Sequence, residues 1–247
     1  MIIKEFEELI PQIANRSKNL YNNLTIIPEL LDSAQKNTFY NRYGIGGEGV
    51  HRGAMCPDAF IEMDSNFTRG KIVEEHPSRR WYYRYAFDKN DQLLYVERED
   101  DIPTVEVIFR ESDIIWGLKI NKKDIDTTAQ AHTIYGNILN GKNIVANFAT
   151  FYRFNYIFAS LMHYQDNVPF KYVKNGRWEY EIDPMGIHIN STLITREIEE
   201  LVLNETGDVT QVRWLKNEDD SNPVWTRTLT KPVPRKRWDN LYGLVTQ

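Results

Sequence analysis

Apolar residues change their period once along this chain. In the first forty residues Phe6, Leu9, Ile10, Ile13, Leu20 and Leu24 recur at three- and four-residue steps, the spacing of an amphipathic helix. Pro11 would cost a helix interior about 3 kcal/mol, so the pattern predicts a break there and a main helix from about Gln12 to Leu24. A second short helix is expected after Pro28, carrying Glu29 and Leu30 and ending before Gly44. From Trp81 onward the period becomes two. Trp81, Tyr83, Tyr85 and Phe87 fall on one side of a strand and Tyr82, Arg84 and Ala86 on the other. Asp88-Lys-Asn-Asp91 then supplies turn residues, and Leu93, Tyr95 and Glu97 begin the return.

The same hairpin signal recurs at Asn140-Gly141, at Asn175-Gly176 and around Thr206-Gly207-Asp208. Asn-Gly marks a hairpin because both central positions of a type I′ turn need positive φ. Thr104–Arg110 and Ile114–Ile120 read as two further strands around Glu111-Ser-Asp113. The longest alternating run, residues 148–158, sets Phe148, Thr150, Tyr152, Phe154, Tyr156 and Phe158 on one face and predicts a central strand. The fold class is mainly β, or α+β overall: an antiparallel β-hairpin meander forming a large sheet or barrel, with a short helical N-terminal cap. Four segments follow: a helical cap at 1–43, a glycine-rich loop and connector at 44–80, the antiparallel β domain at 81–230, and a basic C-terminal segment at 231–247.

Composition narrows the function. A hydrophobic fraction of 41% and a charged fraction of 26% describe a chain that buries a core. One cysteine, Cys56, leaves no internal disulfide and no thiol set for zinc, which fits a reducing, cytoplasmic compartment. The N-terminus lacks the apolar run of a signal peptide, and no stretch is long enough to span a bilayer, so no membrane association is expected. A net charge of −5 argues against nucleic acid, whose phosphates call for a basic face. Lys231, Arg235, Lys236 and Arg237 are a local exception, in an extended, proline-containing tail.

No catalytic constellation stands out, and no cofactor or metal site is expected. Residues 44–58 hold five glycines but lack the lysine-serine ending of a phosphate-binding loop. His51, Cys56 and Asp58 are the nearest approach to a catalytic set, a thiol, an imidazole and a carboxylate in one loop that does not fix their geometry. Arginine interleaved with aromatics at Arg80-Trp81 and Arg177-Trp178 has the composition of interface hot spots. The acidic run Glu97, Glu99, Asp100 and Asp101 can dock a basic partner. Arg80, Trp81, Trp178 and these four carboxylates are therefore the candidate partner-binding residues.

Two segments, Tyr135-Gly-Asn-Ile-Leu-Asn-Gly-Lys142 and Phe170-Lys-Tyr-Val-Lys-Asn-Gly-Arg177, resemble the core of MORN repeats. Tyr85-Ala-Phe-Asp88 and Leu203-Asn-Glu-Thr-Gly-Asp-Val209 resemble YD-type hairpins. The match covers about a quarter of the chain, and the later glycines of a MORN unit are missing after Lys142. Acidic proteins built from such hairpins are similar to the immunity proteins that neutralise bacterial polymorphic toxins. The resemblance implies a non-enzymatic module that binds a toxin domain and carries over no individual residue. The alternative is a β-barrel holding a small apolar ligand beside Tyr152, Phe154 and Tyr156, and the third is an enzyme using the 44–58 loop.

Overall fold

The apolar stripe of the N-terminus forms two helices that lie on one face of an open antiparallel sheet. The computed structural model describes residues 2–45, 71–78, 82–127, 129–141, 143–151, 156–165, 168–183, 186–190, 196–206, 208–216 and 222–233. Helix α1 (Ile2–Asn22) runs unbroken through Pro11, where a break was expected. Pro11 is exposed, so water can bond the carbonyl that the ring leaves without an amide donor. Ile10, Ile13, Ala14 and Ser17 beside it are buried, and that burial offsets the proline cost. Helix α2 (Ile26–Asn37) tolerates Pro28 because it stands in the first turn, where an N–H has no intrahelical acceptor. Asn23 Oδ1 accepts from Thr25 N and Thr25 Oγ1 at 3.3 and 3.1 Å, which fixes the short link between the helices.

Fourteen strands are found among the described residues: β1 (Tyr40–Ile45), β2 (Lys71–Val73), β3 (Tyr82–Phe87), β4 (Leu93–Glu99), β5 (Thr104–Glu111), β6 (Ile114–Asn121), β7 (Thr133–Asn140), β8 (Asn143–Phe151), β9 (Tyr156–Gln165), β10 (Val168–Asp183), β11 (Gly186–Asn190), β12 (Arg196–Leu203), β13 (Val209–Leu215) and β14 (Trp225–Val233). They join one sheet in the order β14-β13-β12-β10-β9-β8-β7-β6-β5-β4-β3-β1-β2, with β11 paired to the far end of β10. Sequence neighbours are mostly spatial neighbours, as a meander requires. The order has two ends, so the sheet is not closed into a barrel.

Several turns stand where the sequence puts them. Asp88 Oδ1 accepts from the amides of Asn90 and Gln92, both at 2.8 Å, and Asp91 takes φ 62°. Ser112 at φ 54° reverses the chain between β5 and β6, and Gly141 at φ 63° does so between β7 and β8. Asn204 Oδ1 accepts from the amides of Thr206 and Asp208 between β12 and β13.

Three expectations fail on pairing. Asn175-Gly176 makes no hairpin: it lies inside β10, where the register against β9 shifts between Asn175 and Trp178, a bulge in a continuous strand. The run 148–158 is not one strand but parts of two, because β8 and β9 pair antiparallel up to Phe151 opposite Tyr156. The β9 residues in register with Phe148 and Thr150 are thus Ala159 and Ile157, and positions 156 and 158 fall in the other register; Tyr152 and Phe154 lie outside the described residues. Finally Tyr40–Ile45, expected at the end of the helical cap and the start of the connector, is a strand that pairs with β3. Tyr40 and Tyr43 stand three residues apart there, with Asn41 and Arg42 between them, so the segment shows no period of two.

The core forms where both helices meet this face. α2 packs on β4 and β5, and α1 on β8, β9 and β11. Val105, Val107, Leu118, Ile120, Ile134, Ile157 and Ala159 point toward the helices, with Trp116 fully buried near the middle. Trp116 meets Phe148 edge-on at 5.3 Å and stacks with Phe109 at 6.3 Å. Its indole N–H donates to Glu111 Oε2 at 3.2 Å, and the same oxygen accepts from Arg16 of α1 at 2.9 Å. Arg16 also lies 5.4 Å from the Trp116 ring centre, so one tryptophan ties helix to sheet through packing, hydrogen bond and cation–π contact.

Gly136 stands between Trp116 and Phe148 in register, and the Phe148 ring lies on its backbone. A Cβ there would fall on the ring, so Gly136→Ala is expected to cost about 1–3 kcal/mol by overpacking. Urea unfolding followed by tryptophan fluorescence measures it; an unchanged midpoint would rule out this packing.

Candidate binding surface

Beyond the ground covered by α2, the helix-side face continues into polar and aromatic residues. On β3, Ala86 belongs to the core that holds Ile27, Leu31 and Ala34 of α2. Two and four residues back along the same face stand Arg84 and Tyr82, opposite Glu97 and Glu99 of β4. Tyr43 of β1 lies opposite Arg84, and His76 follows the short strand β2. Register thus brings Tyr43, distant in sequence, to the residues gathered from β3, β4 and the segment after β2.

The aromatic part is a mutual cluster. Tyr43 and Tyr82 pack edge-on at 5.8 Å, Tyr43 and His76 at 5.1 Å, and His76 and Tyr82 at 4.9 Å. His76 Nε2 and the Tyr82 hydroxyl share a hydrogen bond of 3.0 Å. His76 is exposed and both tyrosines are half-buried. Burial, then the nearby Glu99 carboxylate, raises the Tyr82 pKa and keeps the phenol protonated.

The ionic part lies directly beside it. Arg84 pairs with Glu97, and Lys122, from the 3-10 turn Lys122–Asp124, pairs with Glu99 and reaches Glu97 Oε1 at 3.5 Å. Arg84 also lies 5.7 Å from the Tyr95 ring centre. Burial works against the Arg84 charge, but Glu97 together with Tyr95 and Tyr43 more than offsets it and the guanidinium pKa is raised. Such a network holds its side chains in place without relying on solvent counterions.

The acidic run differs in kind from a free carboxylate patch. Glu97 is buried at 5% exposure under Arg84. Asp100 pairs with Arg98 and accepts from the Ile102 amide at 2.9 Å. Glu99 is half-buried against Lys122, and Asp101 is exposed. Arg80, Trp81, His51, Cys56 and Asp58 lie outside the described residues, and Trp178 is placed only as a strand residue beside the β10 bulge.

The face opposite the helices carries a second polar concentration that sequence reasoning missed. Glu106 and Lys119 are cross-strand neighbours on β5 and β6. Thr104, Thr133, Asn137 and Asn147 on the same face are buried with Glu106. Burial pushes the Glu106 carboxyl up to about 7 against the attraction of Lys119, while burial lowers the Lys119 pKa against the pull of Glu106. Their signal in the sequence was a charged residue inside an otherwise apolar strand, Thr104-Val-Glu-Val and Gly117-Leu-Lys-Ile. Tyr43, His76 and Lys122 left no such signal, because only pairing brings them to Tyr82 and Arg84.

Fold and surface together define an open antiparallel hairpin sheet with helices on one face and an aromatic rim fixed by ion pairs. Comparison with known proteins returns no match: no family model, no curated protein and no solved structure. Among the described residues no helix is long and apolar enough to cross a membrane.

Because Glu106 holds its proton more tightly folded than unfolded, stability falls as pH rises from about 4.5 to about 7, by about 3 kcal/mol over the window. Glu106→Gln should flatten this slope in urea titrations run across the window. A slope unchanged by the substitution would remove Glu106 as its source.

Proposed function

We propose that this chain is a non-catalytic protein-binding module that docks its partner on the Tyr43–His76–Tyr82 cluster and the flanking ion pairs of β3 and β4. The observation that carries the reading is the cluster itself: three partly exposed rings in mutual contact beside an internally neutralised charge network. Tyrosine supplies large contact area at little conformational cost, and preorganised charge gives register to a docked surface. The paired carboxylates shift the emphasis from a bare acidic patch to this mixed rim. Within the binding class, hairpin construction favours an immunity-type role, in which the partner is a toxin domain held in an inactive complex. A ligand-filled barrel is set aside because the strand order leaves the sheet open.

The test uses the full chain as bait beside Tyr43→Ala and Tyr82→Ala variants. For a partner that binds the wild-type chain in a defined stoichiometry, loss of either ring should weaken affinity by about 30-fold, the cost of a hot spot near 2 kcal/mol. Tyr82→Phe should keep most of it. A partner held equally by all of these chains would dispose of the surface. For the narrower role, co-expression with the product of an adjacent toxin-like reading frame should restore growth, and failure to protect would dispose of it.

A further inference from the structure

The chain holds two Asn-Gly pairs, Asn140-Gly141 and Asn175-Gly176, and the fold sets them in opposite surroundings. Asparagine before glycine is chemically labile, because the glycine amide nitrogen, with no side chain to shield it, can attack the asparagine Cγ and close a succinimide ring. The ring closes only where the backbone bends at the asparagine; an extended backbone holds the nitrogen away from Cγ. Asn140 ends β7, and Asn140 opposite Asn143 is the last pair of the β7–β8 ladder. Only that pair and Leu139 opposite Ile144 lie beyond the register shift in this ladder. Asn140 and Gly141 are both exposed, and a Cβ built on Gly141 would meet nothing within 4 Å. Gly141 turns the chain at φ 63° directly after the asparagine, and such end pairs open at the least free-energy cost. Asn175 lies midway along β10 and is paired on both sides, with Ala159 of β9 and Arg196 of β12. Pairing to β9 resumes beyond the bulge at Trp178, so bending at Asn175 requires the sheet to part in its interior.

We propose that Asn140 is a site of spontaneous deamidation in the folded protein and that the sheet protects Asn175 from the same reaction. The Gly141 nitrogen bonds to Asn140 Cγ, the Cγ–Nδ2 bond breaks, and Nδ2 leaves as ammonia with the Gly141 amide proton. Water then adds to one of the two succinimide carbonyls. Addition at Cγ breaks its bond to the Gly141 nitrogen and leaves aspartate in an unchanged main chain. Addition at the Asn140 backbone carbonyl breaks that bond instead and leaves the chain running through Cγ, as isoaspartate. Water is the only co-reactant. Either product adds one carboxylate to a chain of net charge −5, at a hairpin tip beside Asp113, whose carbonyl accepts from the Leu139 amide at 2.8 Å. Isoaspartate also lengthens the backbone by a methylene at the end of the ladder, so it loosens the tip more than aspartate does.

The test incubates the full chain at mildly alkaline pH, folded and in guanidinium chloride, then digests it at acidic pH and maps the peptides by mass spectrometry. The unfolded chain gives the reference rate at each pair, so protection is read as a ratio of rates. Aspartate and isoaspartate should accumulate at position 140 of the folded chain at a rate near its reference. At position 175 folding should slow the conversion by at least about tenfold, the protection of a strand interior that reacts only through local opening. Asn140→Gln should remove the acidic species that anion exchange resolves from the folded chain. An Asn140 that survives folded incubation while the unfolded chain reacts, or two positions slowed alike by folding, would overturn the proposal.

Discussion

The burial of Trp116 between helix and sheet is the constraint on which the rest of this structure depends. A tryptophan can be fully buried only if its N–H finds an acceptor, and Glu111 provides one at the end of the neighbouring strand. Glu111 in turn holds Arg16, so the position of α1 over the sheet is set by the same group that makes the indole tolerable. The ring also needs room, which Gly136 yields by letting Phe148 lie on its backbone. A glycine in a central strand sacrifices backbone entropy, and the aromatic that covers it restores the packing.

The consequence reaches the surface. With α1 fixed over β8, β9 and β11 and α2 over β4 and β5, the helices protect the middle of one face and leave the β1–β3–β4 rim to its own side chains. There the sheet replaces apolar cover by ion pairs and aromatic contacts, Arg84 with Glu97 and Tyr43 with His76 and Tyr82. The opposite face solves the same problem differently, with Glu106 and Lys119 set against each other among buried threonines and asparagines. The cost of burying these charges appears in their pKa values, which move toward neutrality on both sides of the pair.

Much of the element structure was legible because local chemistry decided it. The turns at Asp88, Ser112, Gly141 and Asn204 follow from residues that bond their own backbone or accept positive φ. Asn175-Gly176 shows the limit of that logic. The same dipeptide that turns the chain at Asn140-Gly141 becomes a bulge in β10, because β9 and the strands on the far side hold the backbone extended. Pro11 shows it again, since a local penalty of about 3 kcal/mol yields to the burial of Ile10, Ile13, Ala14 and Ser17 around it.

Sequence by itself determined the antiparallel hairpin class, the two N-terminal helices and the bounds of β3, β5 and β6 to within a residue, since period and turn chemistry are properties of a few adjacent residues. Tertiary structure alone decided that the sheet stays open and that residues 148–158 are split between two strands. It also decided that Tyr40–Ile45 joins the sheet, and that Glu97 is taken up by Arg84 and Lys122. These outcomes rest on contacts between residues far apart in the chain, whose free energy no local window contains.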